Sequence, residues 1–139
     1  MSLTDDDGGT ALFSVTDMVP GDTETACIEV TYTGSIVGAD LAGLNLYGAS
    51  SGALAAELDL DVQRSAAGGS CAAFASAATV YSGALSSLGT DFATGAAGLT
   101  PSAANETVAY QFSVTLPSTA TDAVQGASGA ASFTWEVTT

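Results

Sequence analysis

A chain of 139 residues, 47% of them apolar, is long enough to fold as one domain and to bury roughly 65–70% of the surface that its unfolded form exposes. Fifteen acids stand against a single base, Arg64, for a formal charge of -14, which excludes nucleic acid and anionic membrane surfaces as partners, since both are bound through clustered Lys and Arg. With no His and no Lys, catalytic triads, Schiff bases and most general-base schemes are also excluded.

Charged residues make up 12% of the chain, about half the usual share. The imbalance therefore comes from missing lysine more than from surplus acid. No apolar run approaches the roughly 18 residues that a membrane-spanning helix needs. Met1-Ser2-Leu3 has neither the basic nor the apolar region of a signal peptide. The lysine-free, Ala/Gly/Ser/Thr-rich composition and the even cysteine count predict a secreted or cell-surface protein with its leader already removed.

The first ten residues, MSLTDDDGGT, are acidic and glycine-containing and read as a linker segment ahead of a single domain over 11–139. Leu12-Phe13-Ser14-Val15 opens the domain. A Pro20-Gly21-Asp22 turn follows and feeds a strand over 26–33, where Ile28, Val30 and Tyr32 share one face. "LAGLNLYG" sets Leu44 with Leu46. "AELDLDVQR" alternates Leu58, Leu60 and Val62 with Glu57, Asp59 and Asp61. "TVYSGAL" is a further run. "TVAYQFSVTLP" aligns Val108, Tyr110, Phe112, Val114 and Leu116, and "ASFTWEVT" aligns Phe133, Trp135 and Val137. Each run repeats with period two and is bounded by Gly, Ser, Pro or Asp. The Ala-rich pieces never sustain a 3.6-residue period, apart from room for one short helix at 70–78.

Seven such runs predict an all-β protein: an antiparallel two-sheet sandwich of about seven or eight strands with little helix. The long connections over 65–78 and 86–106 favour jelly-roll or Greek-key order over a meander.

Cys27 lies on the polar face of its strand. It is open to three readings: a buried free thiol, half of a metal site, or a disulfide with Cys71. Zinc would need further thiolate or imidazole ligands, and the chain has no His and no third Cys. A disulfide is expected. By closing a span of 44 positions it would contribute on the order of 4 kcal/mol and tie down the 65–78 excursion.

Glu57, Asp59 and Asp61 project from one face at a spacing of about 7 Å, which suits either a solvated row that discourages edge pairing or a set of hard oxygen ligands for calcium. Asp5, Asp6 and Asp7 form a second such group. Neither follows a known calcium loop, so solvation is the expectation for both, and no cofactor is implied. Arg64 is expected to pair with a nearby acid. Asn105-Glu106-Thr107 fits the N-glycosylation pattern, a short pattern of little weight. Nothing sets two carboxylates across a cleft, so a non-enzymatic protein is expected.

The stretch "VTDMVPGDTETACIEVTYTGS" resembles the TasA/camelysin group of bacterial exported proteins. The matching features are the short strand at 15–18, the Pro20-Gly21-Asp22 turn, the strand at 26–33 and the Thr33-Gly34-Ser35 turn. The late portion is similar too, with a long strand, a connection ending in Gln125-Gly126, and a closing strand rich in Phe and Trp. The likeness covers about 11–36 and 107–138. It implies a jelly roll, secretion, and surface or biofilm-matrix fibres in which one subunit's N-terminal strand completes the next subunit's sheet. Cell-envelope or matrix components would be its neighbours. The peptidase activity ascribed to some relatives does not carry over to a chain without histidine. The alternative is a secreted binding module for carbohydrate or another surface partner, with Tyr47, Tyr81 and Trp135 as the aromatic candidates.

Overall fold

The structure is a computed structural model that describes residues 2–5, 13–16, 18–120 and 126–139. Leu12, Asp6, Asp7 and Gln125 lie outside the described residues. Nine strands occur among the described residues: β1 (Ser2–Asp5), β2 (Phe13–Thr16), β3 (Thr23–Thr33), β4 (Gly43–Ser51), β5 (Asp59–Arg64), β6 (Ala78–Ala84), β7 (Ala96–Ala97), β8 (Asn105–Thr115) and β9 (Ser128–Thr138). They form an antiparallel sandwich of a five-stranded sheet, β1-β3-β8-β5-β6, and a four-stranded sheet, β2-β9-β4-β7. Only β5 and β6 are joined as neighbours within a sheet, so the order is not a meander.

The period-two runs become strands because their apolar rows meet between the sheets. Ile28, Val30 and Tyr32 of β3, Leu60 and Val62 of β5, and Val108, Tyr110, Phe112 and Val114 of β8 are all buried. All of these except Tyr32 pack with Leu44 and Leu46 of β4 and Phe133 and Trp135 of β9 in one core. Across it Phe112 packs on Phe133 at 4.4 Å and meets Trp135 edge-on at 5.8 Å, geometries that aromatic quadrupoles favour.

Along the chain, four segments depart from the predicted elements. Ser2–Asp5 is not linker but an edge strand, paired antiparallel with β3 from Ser2↔Thr33 to Asp5↔Val30. Glu57 is not on the β5 strand: it ends a 3-10 turn, Ala55–Glu57, that precedes the strand. No helix forms at 70–78, where the chain runs through turns and extended backbone. The two-residue β7, too short for any periodicity, pairs with β4 inside the long 86–106 connection.

Candidate functional site

The region with the clearest functional geometry is the edge of the five-stranded sheet where β1 lies on β3. The β3–β8 ladder fixes which backbone groups point there. Leu116 N–H donates to Asp22 O at 3.0 Å and Gly34 N–H to Ala104 O at 2.9 Å, extending the ladder in register at both ends. Even-numbered β3 residues therefore bond to β8. Odd-numbered ones direct their N–H and C=O groups to the other side, because antiparallel pairing alternates in this way. Thr31 and Thr33 meet Thr4 and Ser2 there, while Leu3 stands opposite Tyr32 in the closer, non-bonded type of pair.

Leu3 packs against the core and lines a cavity of about 10 Å³ with Tyr32, Leu44, Leu99, Pro101 and Tyr110. That residual volume holds about one water at most, so Leu3 fills its socket. The polar groups around the socket are engaged. Tyr32 Oη–H donates to Ile36 O, and Leu99 N–H donates to Tyr110 Oη at 3.3 Å. The carboxylate of Glu106, buried on the same core-facing row, accepts from Ser102 N–H at 3.1 Å and Ser102 Oγ–H at 2.8 Å. Burial pushes the Tyr110 hydroxyl pKa above its ordinary value, partly offset by the Leu99 N–H bond and the positive charge of Arg64.

β1 covers four of the eleven residues of β3. The opposite edge of this sheet is less regular. Val62 faces Tyr81 but Gln63 faces Thr79, so β6 carries a bulge at Val80, a device that discourages further pairing.

Of the residues singled out in sequence, Cys27 and Cys71 are joined in a disulfide with Cα atoms 5.8 Å apart. The bridge pins the 65–78 segment across the outer face of β3 and β8. Ser65 begins that segment: its N–H donates to Ala109 O at 2.8 Å and its Oγ accepts from Ala109 N–H at 3.0 Å. Further on, Gly68 N–H donates to Thr107 O and Cys71 N–H to the Glu29 carboxylate, at 2.8 and 2.9 Å. Ala109 is thereby fully buried although it sits on the outward row.

Asp59 and Asp61 line an open hollow of about 220 Å³ on the same outer face, with Ser82, Ser113 and Thr115. Glu57 does not join that lining, so the three acids do not form one ligand set. Asp61 accepts a 2.8 Å bond from Gln63 Nε2, and no group of three or more His, Cys, Asp or Glu suited to a metal occurs among the described residues.

Arg64 departs from expectation. Among the described residues it makes no ion pair, and its Nη1 donates to Ser65 O at 3.1 Å. Asn105 is exposed at the start of β8.

Tyr47, Tyr81 and Trp135 do not share a platform. Trp135 is a core residue. Tyr47 lies opposite Thr134 on the outer face of the other sheet. Tyr81 is on edge strand β6, and its hydroxyl donates to Ala84 O at 2.5 Å. Burial, and then the negative charge of Asp59, raise the Tyr81 pKa. A second cleft, about 170 Å³, has Phe133, Leu85 and Leu88 as its apolar wall and Ser50, Ser86 and Thr90 as its hydroxyl rim. It is kept open by Gly48, where a Cβ would come within 2.7 Å of Ser132 O and 3.1 Å of the Phe133 ring.

Leu3, Ser65 and Glu106 escaped the sequence reading. Leu3 was hidden by its acidic, glycine-containing surroundings, and the other two sit in register positions that only the pairing reveals.

The chain is thus an all-β sandwich with one disulfide and a short, socketed edge strand. No family model, no curated protein and no solved structure matches it.

Proposed function

We propose that this is a secreted, non-enzymatic structural protein of the bacterial cell surface or extracellular matrix, whose subunits join by exchanging β1. The observation that carries the reading is the placement of Leu3: a four-residue edge strand plugs a core socket with one apolar side chain. The likeness of 11–36 and 107–138 to the TasA/camelysin group supports it, as does a disulfide suited to an oxidising compartment.

Magnitudes favour exchange over permanent attachment. Ordering four residues costs about 1–2 kcal/mol each. Half-burying Leu3 returns less than the about 1.5–3 kcal/mol of a fully buried Leu, and the bonds at Ser2/Thr33 and Thr4/Thr31 return about 0.5–1.5 kcal/mol apiece. The strand sits near balance, so a second copy's identical strand, held at high local concentration in a fibre, competes for the same socket.

Leu3→Asp tests this. It places a charge in the socket without touching the rest of the core. Filaments seen by electron microscopy for the wild type should be lost in the variant while its sandwich still folds. Filaments of equal length and number from the variant would overturn the proposal.

A further inference from the structure

Below the four residues that β1 covers, β3 continues for its full regular length. Thr23, Thr25 and Cys27 are odd-numbered, so their N–H and C=O groups point away from β8. No strand pairs with these three among the described residues. Thr23 and Thr25 are exposed and Cys27 is half-buried. The two threonine hydroxyls are held flat against β8, Thr23 Oγ1 at 2.9 Å from Thr115 Oγ1 and Thr25 Oγ1 at 3.3 Å from Ser113 Oγ. The segment is extended, without proline or bulge, and offers three donors and three acceptors to whatever lies beside it.

We propose that residues 23–27 form a second interface, pairing antiparallel with the same segment of a second copy about a twofold axis at Thr25. The pairs are then Thr23 with Cys27 of the partner subunit, Thr25 with Thr25 of the partner subunit, and Cys27 with Thr23 of the partner subunit. All are odd-numbered, so every outward N–H and C=O finds a partner, and two five-stranded sheets become one continuous ten-stranded sheet. Charge selects this register. Glu24, the one acid within the segment, falls opposite Ala26 of the partner subunit, so no like charges are directly opposed. The contact is isologous and closes on itself. It is independent of β1 exchange, which uses the other end of β3. Together, the two contacts would let a fibre built by exchange pair sideways with a neighbour.

Two copies each carrying -14 repel one another at low salt, whereas at about 1 M the screening length falls to about 3 Å. The test is sedimentation velocity at high salt, from about 1 µM to about 1 mM protein, a range that reports weak to moderate affinities. The protein carries an oxidised Thr4→Cys/Thr31→Cys pair that locks β1 to its own β3. Dimers should form, and should weaken as salt is lowered.

Thr25→Pro then removes two central bonds while sparing the subunit's own ladder, since that N–H faces outward. It should raise the dimer dissociation constant at least about tenfold, with the thermal transition essentially retained. Thr25→Cys should cross-link into a covalent dimer through position 25, identified by peptide mapping, because bonded pairs place Cα atoms about 5.5 Å apart. A locked protein that stays monomeric throughout, or a Thr25→Pro variant that dimerises as the parent does, overturns the proposal.

Discussion

Removing the disulfide gives a change large enough to measure and small enough to interpret. The double substitution Cys27→Ser and Cys71→Ser frees a span of 44 positions, for which the chain-entropy model assigns about 4 kcal/mol. Per residue, a folded domain loses about 2.1 cal/mol/K of unfolding entropy at its midpoint, so for a chain of this length 4 kcal/mol corresponds to a fall in Tm of about 14 °C. The flap would not fly loose entirely. Ser65 still exchanges two bonds with Ala109, Gly68 N–H still reaches Thr107 O, and Ala77 N–H still reaches Arg64 O at 2.7 Å. The effect should therefore lie mainly in the unfolded chain, with the sheets intact by circular dichroism. Differential scanning calorimetry under reversible conditions, run on the double variant and on the oxidised parent, gives the comparison. A fall of less than about 3 °C, under about 1 kcal/mol on the same conversion, would refute the reasoning that the bridge acts as a long-range staple.

Two further outcomes follow from the core. Trp135 Nε1 is buried without a hydrogen-bond partner among the described residues, so Trp135→Phe loses ring contacts but also removes an unsatisfied donor that costs about 1–3 kcal/mol. Urea unfolding should place it within about 1 kcal/mol of the parent, whereas Trp135→Ala should cost about 3–5 kcal/mol. Tyr110 ionises less readily when folded than when unfolded, chiefly because it is buried. Its stabilising contribution is complete below about pH 10, where a free tyrosine titrates, and is lost as pH rises through the higher folded value. In pH-dependent melts Tyr110→Phe should shift the alkaline limb upward, and should do so more than Tyr81→Phe, whose ring is less buried.

The strands that pack the core were legible because burial on one face imposes period two: Ile28, Val30 and Tyr32 announce β3 as plainly as Phe133 and Trp135 announce β9. The cysteine pair was legible by elimination, in a chain with no His and no third Cys. β1 was not. Three aspartates and two glycines hide a single leucine, and only the socket formed by Tyr32, Leu44 and Pro101 gives that leucine a reason to be half-buried against the core. Glu57 continued the alternation of Asp59 and Asp61 in sequence, yet Leu54 and Ala55 are drawn into the core, and the chain turns there before the strand begins. The alanines at 70–78 have helical propensity, but a segment held at Ser65, Gly68 and Cys71 has too few unconstrained residues left to nucleate a helix.

The most direct test of subunit exchange uses the Thr4→Cys/Thr31→Cys protein reduced during assembly and oxidised afterwards. These two positions are directly paired, so the bond forms only where a β1 lies on a β3. With equal parts of isotopically light and heavy protein mixed before assembly, peptide mass spectrometry of the filaments distinguishes bonds within one chain from bonds between chains. Exchange predicts light–heavy cross-links and a ladder of covalent multimers on non-reducing gels. Filaments whose cross-links all lie within single chains would contradict it.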